Sequence, residues 1–301
     1  EDQTNVLPLF GPMPKPRPEF TITEPESRLK KAADWLCKIQ EHNGSLPICI
    51  DPRTGQIQDD WPRLAFTARA LAEFGKAVNE KKYLESANKS FEYLAKFLMS
   101  QDAPEIPYYD LTLAYFGQLA MALGKQKETN FAASEILKYA RIKLDTISSA
   151  QIASFFKNLL KNPAAPSGIQ NYLEKLLKNL KEAFEKNLKS GKPMNLAVFA
   201  ELVNTFCGID DKFSQKVADW LKKYQLPNGA FAGTTNSDFV YTRGTGKIFE
   251  VLAINAEQNK EVLKKTLNWL ISMQYDEENT FFITPEIRPK ILGGFRDGYF
   301  N

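Results

Sequence analysis

The chain has 301 residues, 43% hydrophobic and 25% charged, with 39 lysines and arginines set against 36 aspartates and glutamates. That balance excludes wholesale disorder, and a net charge of +3 spread along the chain excludes a concentrated basic surface for nucleic acid. No apolar run approaches the roughly 20 residues of a membrane span.

Residues 1–24 contain PLFGPMPKPRPEF, with Pro12, Pro14, Pro16 and Pro18 alternating. Proline fixes φ and removes a backbone donor, so this segment is predicted as an extended arm beside one domain formed by residues 25–301. From Pro25 onward apolar residues recur at helical period. Helices are predicted over 25–41, 59–79, 81–101, 108–123, 127–145, 148–161, 167–189, 194–206, 210–224, 237–255 and 260–273. Asp59 or Asp60 supplies the N-cap of the second, with Pro62 in its first turn. The predicted fold class is therefore all-α.

The helices fall into two alternating kinds. Those at 25–41, 81–101, 127–145, 167–189, 210–224 and 260–273 are charged, as expected of helices with one wet face. Those between them are rich in small and aromatic residues, as in YYDLTLAYFGQLAMALG and NLAVFAELVNTFC, and are expected to be enclosed. The count is six outer helices and five inner ones, and the sixth inner helix is due where the chain stops at Asn301. A truncated chain is the expectation; an open ring, or a gap filled by another chain or by the N-terminal arm, are the alternatives.

One turn recurs. KAADWLCKIQEHNGSL (Lys31 to Leu46) and KVADWLKKYQLPNGAF (Lys216 to Phe231) fit a single template of Trp-Leu, three positions, Gln, three positions, Gly, one position, then Leu or Phe. A degraded third copy surrounds Trp269 and lacks the glycine. This template resembles the QW motif of the squalene and hopene cyclases, whose α/α toroid is shared by protein prenyltransferase β subunits. The resemblance implies six helical hairpins closed into a ring, with inner helices lining a central cavity and the Gln tying each outer helix to its neighbour. The signature catalytic motifs of both families are absent. QDDW (Gln58 to Trp61) and GIDDK (Gly208 to Lys212) do not fit the cyclases' Asp-x-Asp-Asp. His42 lies in the template turn and has no cysteine at zinc-ligand spacing; Cys37, Cys49 and Cys207 read as free thiols. No metal and no cofactor is predicted.

If the inner helices line a cavity, their first turns meet at one mouth, where unpaired N–H groups favour anions. Asp59, Asp60 and Asp110 are the candidate acids or bases there, with Tyr241 as a further catalytic candidate; each aspartate also reads as a plain helix cap. Candidate binding residues are Trp61, Arg63, Tyr108, Tyr109, Asn195, Phe239 and Arg243, with Arg296 and Asp297 in GGFRDGYFN; Ser148, Ser149 and Gln151 share the mouth. Gly244 and Gly246 in VYTRGTGK each cost a helix roughly 1 kcal/mol and so call for close packing or an approaching ligand. Arg243 reads as a clamp for an anion, or as internal glue to Asp60 or Asp110.

The leading functional expectation is a carbohydrate-active enzyme of hydrolase, lyase or epimerase type, acting on a glycan or other polyhydroxylated, anionic small molecule. The alternatives are a terpenoid- or lipid-handling toroid, favoured if the cavity is lined by Phe and Tyr with the aspartates serving as caps, and a non-catalytic helical-repeat scaffold. The compartment is left open, with a secreted or periplasmic product expected if Glu1 is a processed terminus. Oligomeric state is not predicted.

Overall fold

The computed structural model describes residues 23–47, 49–51, 57–58, 60–100, 108–138, 144–163, 165–237, 239–280 and 283–300. The helices are α1 (Thr23–Ile39), α2 (Trp61–Ala77), α3 (Lys81–Leu98), α4 (Tyr109–Leu123), α5 (Gln126–Lys138), α6 (Thr146–Leu159), α7 (Ile169–Ser190), α8 (Leu196–Phe206), α9 (Asp211–Lys222), α10 (Thr242–Leu252), α11 (Lys260–Ser272) and the short α12 (Arg288–Ile291). Two antiparallel pairs of short strands join them: β1 (Cys49–Ile50) with β2 (Ile57–Gln58), and β3 (Phe239–Tyr241) with β4 (Gly298–Phe300).

Charge patterning sorts the helices as the alternation predicts. On α3 the buried Tyr83, Ala87, Phe91, Leu94 and Leu98 form one stripe, and the lysines and glutamates lie off it. On α4 every residue from Leu111 to Ala120 is buried, which needs neighbours on all sides. The inner helices α2, α4, α6, α8 and α10 pack in that order, with α1, α3, α5, α7, α9 and α11 outside. Gly117 shows how close the inner packing is, because a Cβ there would enter the ring of Phe155 on α6.

The recurring turn is the seam between outer helices. Gln40 Nε2 donates to Ser86 O at 2.9 Å and Ser90 Oγ at 2.9 Å on α3. Gln225 Nε2 donates to Val262 O at 2.9 Å and Thr266 Oγ1 at 2.9 Å on α11. In the third copy Gln274 Nε2 donates to Arg28 O at 2.9 Å on α1 and to Gly293 O at 2.9 Å. This last seam joins the final outer helix to the first and closes the ring.

The expectation that the Trp269 copy has lost its glycine is corrected here. Gly44, Gly229 and Gly293 have φ of 96°, 93° and 96°, and each lies against a carbonyl of the neighbouring outer helix: Lys89 O, Lys265 O and Lys31 O. Three residues separate Gln from Gly in the first two copies and eighteen in the third. Two of the intervening residues reach α1: Asp276 pairs with Arg28 at 3.2 Å, and Lys290 O accepts from Trp35 Nε1 at 2.7 Å. Spacing in sequence hides the glycine; position in space restores it.

One further expectation changes. The tenth helix begins at Thr242, not Ser237, because the aromatic and β-branched run Phe239–Tyr241 pairs with Gly298–Phe300. Among the described residues no sixth inner helix follows α11; the chain instead returns to α1 and then to β4 at the mouth. The N-terminal arm, save its last two residues, and Asp59 lie outside the described residues.

Candidate functional site

At the N-terminal ends of the inner helices, side chains serve mainly as caps. Asp60 accepts from Arg63 N at 2.9 Å and stands 4.0 Å from the Arg63 guanidinium. Asn195 accepts from Val198 N at 3.2 Å, capping α8. Ser148 donates through both N and Oγ to Asp145, the cap of α6. Asp110 sits half-buried in the first turn of α4, and its charge adds to the burial that raises the Tyr172 phenol above its ordinary value.

The aromatic candidates separate. Trp61 leaves the mouth: its ring stacks on Tyr93 at 5.7 Å and meets Phe97 edge-on at 5.0 Å, both on outer helix α3. Tyr108 is 68% exposed in a left-handed conformation before α4, with half-buried Tyr109 after it. Phe239 and Tyr241 meet edge-to-face at 4.4 Å on β3, and the exposed Arg243 lies 5.3 Å over the Tyr241 ring. Among the described residues Arg243 pairs with neither Asp60 nor Asp110, so it is not the internal glue. Arg296 belongs to the closing loop, donating to Asn279 O at 3.2 Å and lying over Tyr275. Asp297 is exposed, and its carbonyl accepts from Thr242 N. Ser149 and Gln151 are buried in α6.

Below this mouth the ring contains a cluster that sequence reading did not single out. Lys247 on α10 reaches Glu201 on α8 at 2.8 Å and Glu250 at 2.9 Å. Arg69 on α2 lies 3.8 Å from Glu250 and 3.4 Å from Glu73, and donates to Gln118 on α4. Gln118 in turn donates to Gln151 Oε1 on α6 at 3.2 Å. All five inner helices thus contribute to one polar layer, and the Arg69–Glu250 pair spans from α10 to α2. Beside it Phe66 meets Tyr115 edge-to-face at 5.5 Å, with Lys247 5.3 Å and Arg69 5.4 Å from the Phe66 ring.

Burial by itself would lower the Lys247 ammonium, but the carboxylates of Glu201 and Glu250 more than offset it and raise its pKa above that of a free lysine. The Tyr115 phenol is pushed far above its ordinary value by burial first and then by the Glu201 carboxylate, with Arg69 opposing. A signal for the cluster does exist in the chain: Glu201 is the sole charge in LAVFAELVNTF, and a charge in an enclosed helix needs a partner. The partners lie on other helices, where no local spacing points to them.

Among the described residues no group of three or more His, Cys, Asp or Glu gathers as a metal site, and no helix is long and apolar enough to cross a membrane. Cys37 and Cys207 are free thiols, and burial raises that of Cys37.

Among the described residues five inner and six outer helices, with three of the outer junctions tied by glutamine–glycine seams, define an α/α toroid. Solved structures with the same fold include a variant of the type II terpene cyclase MstE from Scytonema, at a TM-score of 0.59 and 16% identity, covering 83% of this chain and 78% of that one. Another MstE variant, in complex with geranylgeranyl dihydroxybenzoate as substrate, matches at 0.55 and 16%, covering 83% and 79%. A protein from Actinoplanes matches at 0.54 and 12%, covering 84% and 81%. No protein-family model and no curated protein sequence matches the chain. At these identities the likeness is one of fold.

Proposed function

We propose that this toroid handles an isoprenoid or similarly apolar small molecule, taken into the ring from the N-terminal ends of the inner helices. The carrying observation is the Phe66–Tyr115 pair, two aromatic rings from adjacent inner helices set edge-to-face beside the polar layer. Aromatic faces suit the alkenes of a prenyl chain and the short polar layer gives it an end-stop. Asp60 caps its own helix, as the terpenoid reading expects of the mouth aspartates. Asp110 is proposed as a rim carboxylate, and Phe239, Tyr241 and Arg243 as the lip past which the ligand enters. Support from relatives is that one enzyme of this fold binds a geranylgeranyl-bearing substrate.

The test is displacement of a fluorescent prenyl probe from the purified chain by unlabelled prenyl alcohols and by neutral and acidic oligosaccharides. Prenyl alcohols should compete and oligosaccharides should not. Phe66→Ala should weaken prenyl binding at least about tenfold, in keeping with loss of an aromatic contact and its buried area. Competition by an oligosaccharide alone, or prenyl binding unchanged in a folded Phe66→Ala variant, would overturn the proposal.

A further inference from the structure

We infer that the ring holds the polar end of its ligand at Tyr115 and Arg69, and that this end is a neutral oxygen, an alcohol or a carbonyl, and not a diphosphate or carboxylate. The inference rests on the isoprenoid reading above and specifies which isoprenoid derivatives the ring accepts.

Hydrogen-bonding capacity is left over at this layer. Tyr115 is 8% exposed, and among the described residues its hydroxyl has no hydrogen-bond partner. Arg69 Nε stands 3.4 Å from Glu73 Oε1 but without hydrogen-bond geometry, so its N–H is buried and unmet. Arg69 Nη2 is 3.8 Å from Glu250, beyond hydrogen-bond reach. A half-met guanidinium whose charge acts on the Tyr115 hydroxyl gains from one more acceptor oxygen, and Gln118 already fixes the guanidinium plane. Because burial and the nearby carboxylates keep the Tyr115 phenol protonated through the physiological range, it stays able to donate.

Charge balance decides what kind of oxygen fits. Arg69 and Lys247 are matched by Glu201 and Glu250, and Glu73, with a side chain 58% exposed, is screened by solvent. The side chains of Glu201 and Lys247 are 3% and 13% exposed. An added diphosphate or carboxylate would therefore stand as unmatched negative charge where water screens poorly. A neutral oxygen adds no charge and uses the spare donors.

The experiment is calorimetric titration of the full chain with three probes of equal chain length: geranylgeraniol, geranylgeranyl diphosphate and the corresponding hydrocarbon without oxygen. The alcohol should bind at least tenfold more tightly than either of the others. Tyr115→Phe, which keeps the ring and removes only the hydroxyl, and Arg69→Met should each reduce that preference to threefold or less, with thermal melts verifying that both variants fold. If Arg69→Met fails to fold, Tyr115→Phe alone carries the test. A diphosphate that binds most tightly, equal binding of alcohol and hydrocarbon, or an undiminished preference in Tyr115→Phe overturns the inference while leaving the isoprenoid reading intact. If none of the three binds, the isoprenoid reading falls and this inference with it.

Discussion

Replacing Gly293 by alanine should cost the chain about 2–5 kcal/mol, from two separate effects. Its φ is 96°, where a Cβ costs roughly 1–2 kcal/mol. The new Cβ would also stand 2.6 Å from Lys31 O and 3.0 Å from Trp35 Cβ, so α1 must shift away from the seam. Such overpacking costs about 1–3 kcal/mol. Gly124 supplies the control: its φ is 73°, and a Cβ there meets nothing within 4 Å. Gly124→Ala should therefore show only the conformational part. Urea unfolding followed by circular dichroism would compare the two, together with Gly44→Ala and Gly229→Ala, whose added Cβ atoms overlap Lys89 O and Lys265 O. Equal losses at Gly293 and Gly124 would refute the identification of Gly293 as the displaced seam glycine.

The seams also differ in one hydroxyl. Ser90 accepts from Gln40 and donates to Gly44 O at 2.7 Å, and Thr266 occupies the matching place for Gln225; the corresponding residue on α1 is Ala32, and Gln274 Oε1 is buried without a partner. Ser90→Ala should lose about 1–3 kcal/mol and Ala32→Ser should gain up to about 1 kcal/mol in the same unfolding assay, opposite signs being the check. Gly246 has open space around a built Cβ, so Gly246→Ala should raise stability by about 1 kcal/mol through helix propensity alone; a loss would mean that α10 needs its glycine. Burial raises the phenols of Tyr83, Tyr115 and Tyr172. Since a raised folded pKa contributes stability that is full below the unfolded value of about 10 and lost as pH climbs past it, these three should resist ionisation in an ultraviolet titration until the chain unfolds at alkaline pH. Uniform titration of every tyrosine near pH 10 in the folded chain would contradict this.

The ring was legible in the sequence because its signals are local. Each outer helix shows its wet face within a few turns, and the Trp-Leu, Gln and Gly of the first two seams lie within sixteen residues. The third seam is only half legible, since eighteen residues intervene between Gln274 and Gly293. Trp61 is hidden for a different reason: position at a helix start says which end of the toroid a residue occupies, but not that its indole turns outward onto Tyr93 and Phe97. Local period alone extends the tenth helix over Phe239 and Tyr241, because their strand partner, Gly298–Phe300, lies about sixty residues away. The Arg69, Glu201, Lys247 and Glu250 cluster is the extreme case, assembled from three helices that no single window spans.

The closing seam has a kinetic side. Gln274 and Arg28 are 246 residues apart, whereas Gln40 and Ser86 are 46 apart and Gln225 and Val262 are 37 apart. Loop-closure entropy rises with the length of chain enclosed, so the short-range seams can form while the chain is still open, and the one that shuts the ring is placed last. Interactions that form after the transition state govern escape from the native state more than arrival at it. Weakening the Gln274–Arg28 clasp should thus speed unfolding and leave refolding nearly as fast, making this single junction the latch that sets how long a closed ring stays closed.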